Sequence, residues 1–314
     1  MKNPTSTYLL GLKTSATALL SLFAMQGLSA NSLFNYQFSD ANNTYLQHAT
    51  NASAANTGSE AGSWDLNFGP RVQNGNLNYG YTSSYSWTSV DDEAGNAGGQ
   101  RKFTFDNAIN SSTHSSYTLR IVLDKWDFRR SWDSAASAAG KGVQFSIMEQ
   151  TSNADIATIF AQTSGVNGFQ VASQATGSNG DITGAFAGAA GGTFNTDNAP
   201  ALNRFSATGA ILEISGDLTT GAWTSRASSN DGAEWKNLIT SGTGLTSIAA
   251  IRFNSRNPAV GSWGGSAANL EVSGDYAMID SMELTASAVP EPSTYVLLTA
   301  LFALVFTIVR RRCS

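Results

Sequence analysis

Glycoside hydrolysis needs two carboxyl groups held roughly 5–10 Å apart across a cleft. On a β-strand, residues two apart share a face, so an acidic run with one-residue gaps would be its signature. The chain has no such run. Glu149 closes an apolar stretch, and Glu213, Glu271 and Glu283 each stand alone on theirs. The densest cluster of charge and aromatics is LDKWDFRRSW, where Asp124 and Asp127 flank Trp126, and Arg129, Arg130 and Trp132 follow. An exposed indole there would stack on a sugar ring. The other reading is a strand end whose Trp and Phe pack inward while the arginines pair locally. Asp91, Asp92 and Glu93, with Asn96 nearby, offer oxygens that suit Ca²⁺. Their spacing is not that of an EF-hand, and a solvated acidic loop accounts for them equally. His48 and His114 have no partner at metal-ligand spacing, and the single cysteine, Cys313, stands at the far end of the chain. No nucleophile elbow or phosphate-binding loop occurs. These residues therefore predict no catalytic constellation, no cofactor and no metal beyond the weak Ca²⁺ candidate.

The seven tryptophans are Trp64, Trp87, Trp126, Trp132, Trp223, Trp235 and Trp263. Indole faces bind sugar rings, but tryptophan is largely buried in most folds, so core packing is the first reading of each. Trp64, Trp132 and Trp263 sit beside Ser, Gly or Asp. With Trp126 they are the candidate glycan contacts.

The elements that must position these residues are strands. YTLRIVL puts Tyr117, Leu119, Ile121 and Leu123 on one face, with Thr118, Arg120 and Val122 opposite. KGVQFSIM alternates Val143, Phe145 and Ile147; RKFTF gives Phe103 and Phe105; LNYGY gives Leu77, Tyr79 and Tyr81. SIAAIRF assigns Ala249, Ile251 and Phe253 to one side, and AMIDSMEL assigns Met278, Asp280, Met282 and Leu284. Period-two alternation at this density predicts half-buried antiparallel strands. Two short helices are expected, over Ser131 to Gly142 and in GAEWKNLIT, where Trp235, Leu238 and Ile239 have helical spacing. The Gly/Ala-rich stretch from Ala175 to Gly192 reads as a linker or as a hairpin with a long loop. The fold class is all-β: a two-sheet antiparallel sandwich, a jelly roll. SLFNYQFSD and YAMIDSMELTA resemble the first and last strands of lectin-like, concanavalin-A-type sandwiches. That resemblance implies that the end strands pair.

The ends carry a different message. Lys2 and Lys13, an apolar stretch from Ala16 to Leu28, and small residues up to Ala30 form a signal-peptide pattern over 1–30. At the other end Tyr295 to Val309 holds no charge and would span roughly 22 Å as a helix, short for a bilayer core of about 30 Å. Arg310, Arg311 and Arg312 close it, and by the positive-inside rule they stay cytoplasmic. Before it, Pro290 and Pro292 keep Val289 to Pro292 extended. A signal peptide with C-terminal Val289-Pro290-Glu291-Pro292, an apolar helix and an arginine cluster resembles the PEP-CTERM family of exported bacterial proteins. The resemblance covers about the last 26 residues. It implies a sorting signal processed by an exosortase in bacteria that make exopolysaccharide, and it is silent on what the body binds.

The expected organisation is a signal peptide at 1–30, an extracellular sandwich at 31–288, and a sorting tail at 289–314 with a transmembrane helix at 294–310. Five of the 18 basic residues and one of the 23 acidic residues lie in the two ends, leaving 13 against 22 and a body charge of −9. An acidic body does not favour nucleic acid. With no thiol it holds no disulfide, although an exported compartment would allow one. The sequence thus predicts a non-enzymatic, exported and surface-sorted structural or adhesive protein of an extracellular polysaccharide matrix. Its partners would be the export machinery, an exosortase and matrix polysaccharide, with a transient membrane anchor before release to the cell surface or matrix. A carbohydrate-binding, lectin-like module is the alternative, and a glycan-cleaving enzyme ranks behind both.

Overall fold

Tyr117, Leu119, Ile121 and Leu123 are buried, and Thr118, Arg120 and Val122 between them are partly exposed. The same alternation recurs along the chain and builds the fold. The computed structural model describes residues 30–42, 44–51, 62–64, 70–80, 101–127, 142–149, 155–163, 168–175, 183–189, 195–199, 204–256 and 276–289, with 301, 302, 304, 305 and 308. The chain divides into two compact units, Asn31–Ala286 and the two ends, Met1–Ala30 with Ser287–Ser314.

The strands in chain order begin with β1 (Ala30–Tyr36), β2 (Gly62–Trp64), β3 (Arg71–Gln73), β4 (Asn76–Gly80), β5 (Arg101–Asn110) and β6 (His114–Asp127). Then come β7 (Gly142–Met148), β8 (Asp155–Thr163), β9 (Gly168–Ala175), β10 (Thr183–Ala189) and β11 (Asn195–Ala199). The last are β12 (Arg204–Asp217), β13 (Ala222–Ser229), β14 (Glu234–Gly242), β15 (Ser247–Arg256) and β16 (Tyr276–Ala288). A nine-stranded sheet runs β14-β13-β12-β6-β16-β4-β3, with β1 beside β16 and β11 beside β12. A seven-stranded sheet runs β10-β9-β8-β7-β15-β5-β2. This is the expected two-sheet sandwich, and its first and last strands pair as expected. The stretch after Ala175 joins β9 to β10, which pair antiparallel as a hairpin. Between β3 and β4 the turn is Asn74-Gly75, with φ of 53° and 80°, the left-handed pair that a two-residue hairpin requires.

Inner faces of the two sheets meet in one core. The larger sheet contributes Leu119, Ile121, Leu212, Ile214 and Ile279; the smaller contributes Phe103, Phe145, Ile159, Ile251 and Phe253. An aromatic cluster ties the two at one end. Phe34 of β1 lies 4.9 Å from Phe103 of β5, and Trp64 of β2 lies 5.5 Å from Phe103 and 5.7 Å from Phe253, ring centre to ring centre. Each tilted or edge-on pair contributes about 0.5–1.5 kcal/mol beyond its buried area.

Three expectations change. GAEWKNLIT is not a helix but most of β14. Ser225 faces Ile239 while Arg226 faces Asn237, so Leu238 is an extra residue in a bulge. The bulge buries Leu238 and Ile239 side by side, and this doublet imitates helical spacing. In β16 the buried side chains are Ala277 and Ile279, then Met282, Leu284 and Ala286, whereas Asp280 is exposed. The alternation changes phase at Asp280-Ser281, so Met278 and Asp280 do not share the face of Met282 and Leu284. In β15 the pairing with β5 shifts between Ile248 and Ala250, which brings Ile248 into the core with Ile251 and Phe253, while Ala249 is only partly buried. The expected signal helix and the helix expected from Ser131 lie outside the described residues, apart from Gly142, which opens β7. Of the expected transmembrane helix, Leu301, Phe302, Leu304, Val305 and Ile308 are described as helical and exposed. No helix among the described residues is long and apolar enough to cross a membrane.

Candidate functional site

The outward face of the larger sheet carries an ordered set of polar side chains. Its strands β6 and β12 are 14 residues long, and their inward Leu and Ile fix which residues must face out. Across β6, β12, β13 and β14 the register sets Arg120, Glu213, Arg226 and Asn237 directly opposite one another. On one side of this rung lie Thr118, Ser215 and Thr224; on the other lie Val122, Ile211, Ser228 and Trp235.

Glu213 is the centre of the middle rung. Arg120 Nη1 donates to its Oε1 at 2.8 Å and Arg226 Nε donates to its Oε2 at 2.5 Å. The carboxylate side chain is 5% exposed, while the guanidinium side chains are 43% and 53% exposed. One buried negative charge therefore orients two half-exposed positive ones. Arg226 also lies over the indole of Trp235, 4.4 Å from the ring centre, a cation–π contact. Among the described residues of the sandwich, Trp235 is the large hydrophobic side chain left exposed. In the first rung, the hydroxyls of Thr118 and Ser215 lie 3.0 Å apart. The face thus offers an indole, guanidinium donors, amide and hydroxyls on a rigid strand framework. That is an inventory for binding a polyhydroxylated ligand, with no general acid or nucleophile in it.

The residues singled out from the sequence fall elsewhere. Trp126 is fully buried, and Trp64 is 7% exposed within the aromatic cluster. Neither is a surface platform; their indoles fill the core, the other reading open to each. Trp132, Trp263, Arg129, Arg130 and the loop residues Asp91, Asp92 and Glu93 lie outside the described residues. So do Pro290, Glu291, Pro292 and Arg310 to Arg312, while Val289 stands partly exposed just beyond β16. Asp124 accepts a hydrogen bond from the Asn76 amide at 3.4 Å, and Glu149 accepts one from Thr246 at 3.0 Å. His114 is buried with Nδ1 2.9 Å from the Thr113 hydroxyl, and burial holds its pKa below the usual histidine value. Among the described residues, no group of three or more His, Cys, Asp or Glu could hold a metal ion.

A second ion pair was not legible in the sequence. Arg252 of β15 donates to Asp155 of β8, and Asp155 is buried. It belongs to a cross-strand row of Lys102, Arg252, Ser146, Thr158 and Gln174 on the outer side of the smaller sheet. Ser146, Thr158 and Gln174 are buried, so this row is closed to solvent. The two buried carboxylates, Asp155 and Glu213, thus lie in different sheets, and each is held by arginine.

No family model and no curated protein matches this chain. Among solved structures, it is similar to the CBM2 module of the evolved Dit of Lactobacillus casei BL23 phage J-1, at 10% identity and a TM-score of 0.44, over 83% of this chain and 98% of that one. It is similar at the same identity and TM-score to winged bean acidic lectin complexed with methyl-α-D-galactose, over 83% of this chain and all of that one. The exoplasmic/lumenal domain of VIP36 in its Ca²⁺-bound form matches at 11% identity and a TM-score of 0.40, over 83% of this chain and 91% of that one. Likeness at this level establishes neither a shared site nor a shared ligand.

Proposed function

We propose that this chain is an exported, surface-sorted glycan-binding protein that holds matrix polysaccharide without cleaving it. Residues 1–30 act as the signal peptide, 31–288 form the extracellular sandwich, and 289–314 serve as the sorting tail that an exosortase processes. The observation that carries the glycan reading is the outer face around Trp235. An exposed indole beside arginine, asparagine and hydroxyl side chains on a sheet matches what a sugar ring needs: an apolar face to stack on and donors around its rim. The non-catalytic reading draws support from Asp155 and Glu213, whose arginine partners favour the charged form and disfavour proton transfer at neutral pH. The experiment is a polysaccharide-binding screen with the full-length chain in detergent, repeated with Trp235→Ala. Binding to at least one polysaccharide, weakened about five- to tenfold by the substitution, is the expected result, the scale of one aromatic contact. No binding to any polysaccharide would leave only a structural role in the matrix.

A further inference from the structure

We infer that the ligand of this face is an acidic glycan, and that Arg120 and Arg226 recognise its carboxylates. This inference rests on the glycan reading above and adds the charge of the sugar.

The argument is one of donors and charge. Glu213 takes one N–H from Arg120 through Nη1 and one from Arg226 through Nε. Guanidinium carries five N–H groups, so each arginine keeps donors in hand, and among the described residues no further acceptor takes them. Both side chains are about half exposed, so those donors are within reach of a ligand. Two guanidiniums against one carboxylate leave the rung with a charge of +1. This positive centre sits on a body whose net charge is −9, so it is placed against the trend of the molecule. The nearest acidic residues along the register do not cancel it. Glu234 faces Ser229, three positions from Arg226, about 10 Å at strand rise, and Asp217 lies four positions from Glu213, about 13 Å. Those separations reach or exceed the Debye length at physiological salt, about 8 Å.

Glu213 also explains why the arginines stay in place. Left alone, two adjacent guanidiniums would repel and splay into solvent. Bridged by a buried carboxylate, they are pre-organised, so less side-chain freedom is lost on binding. The indole of Trp235 completes the arrangement, since a sugar ring stacked there would set its substituents beside Arg226. A neutral glycan needs only the indole and hydroxyls; a bridged pair of half-free guanidiniums fits a carboxylate.

The test compares two probes that differ only in that group: a hexamer of β-1,4-linked mannuronate and the matching neutral mannohexaose, each titrated into the full-length chain in detergent. The mannuronate hexamer should bind at least tenfold more tightly at about 50 mM salt, and the preference should shrink several-fold at about 500 mM as charges are screened. Arg226→Gln should abolish most of the preference while leaving mannohexaose binding near its original value; Trp235→Ala should weaken both probes alike. The salt series on the unaltered chain keeps the inference testable if Arg226→Gln fails to fold. Equal affinity for the two probes overturns the acidic-glycan inference and leaves the glycan reading standing. Failure of both hexamers and of every polysaccharide in the screen overturns the two together. A salt-independent preference for mannuronate also overturns the role given to the arginines.

Discussion

Glu213 sits where a carboxylate is expensive to hold unless paired. Its hydrogen bonds to Arg120 and Arg226 are charge-assisted, a class that contributes about 1.5–3 kcal/mol each when well buried. Here both donors are half in water and would regain hydration if released, so the combined contribution falls toward the value of exposed pairs. Glu213→Ala should therefore destabilise the sandwich by about 2 kcal/mol, and Glu213→Gln, which keeps the shape, by about 1 kcal/mol, both read from urea unfolding curves. Two buried tyrosines set a separate, alkaline limit. Burial pushes the pKa of Tyr36 up from 10.0 to about 12, and burial pushes Tyr117 up further. A raised pKa in the folded state means the unfolded chain loses its protons first. The folded state is thus fully favoured by these groups below about pH 10 and loses that advantage as pH rises toward 12. Each tyrosine ionised only in the unfolded chain contributes a slope of about −1.4 kcal/mol per pH unit. Denaturation series at pH 9, 10, 11 and 12 should show stability falling steeply across the last two steps. Tyr117→Phe should flatten that fall, and a flat profile in the unaltered chain would refute the assignment.

At the level of the element, β14 shows both the reach and the limit of pattern. Alternation in β5, β6 and β7 is plain in the sequence because each strand keeps one phase and one buried face. In β14 it is not, since Leu238 enters as a bulge and Gly242 replaces a side chain that would have completed the pattern. A Cβ at Gly242 would lie 2.1 Å from the Trp223 ring, so the glycine exists to let that indole lie flat against the strand. Gly242→Ala should destabilise the sandwich by about 1–3 kcal/mol, the range for overpacking, and thermal melting measures it. A neutral effect would mean that Trp223 repacks freely. The phase change in β16 belongs to the same class: bulges depend on the partner strand and leave no local mark. The outer-face site was illegible for a related reason. Glu213 reads as a lone acid because its partners are 93 and 13 residues away, and only the register of three strands brings them together. Trp126 shows the converse. Its charged neighbours suggest a surface, but period two places its side chain on the inner face with Leu123 only after the strand shifts phase near its end, where Asp124 is exposed.

For the whole molecule, the contrast between the sandwich and the tail decides what must happen after export. The sandwich keeps nearly all its described large hydrophobics inside, with Trp235 the exception. In the tail, Leu301, Phe302, Leu304, Val305 and Ile308 are each 41–58% exposed. At about 100° per residue these five cover an arc of roughly 160° on a helix. Leaving such side chains in water rather than burying them costs about 1.5–3 kcal/mol for each one fully exposed, so the segment has every reason to enter a bilayer or be removed. Its uncharged run is too short to hold firmly in a bilayer of ordinary thickness, and Val289 to Pro292 precede it as an extended, proline-fixed peptide that suits a protease cleft. Removal, following a brief stay in the membrane with Arg310 to Arg312 on the cytoplasmic side, is the outcome consistent with all three facts. Mass spectrometry of the mature protein from a polysaccharide-producing host should find the sandwich peptides and no peptide containing Arg310 to Ser314. Deleting the exosortase, or replacing Pro290 and Pro292 with alanine, should restore those C-terminal peptides in the membrane fraction. Intact C-termini on most mature molecules would instead make the segment a lasting anchor, and the glycan-binding face would then work at the membrane rather than in the free matrix.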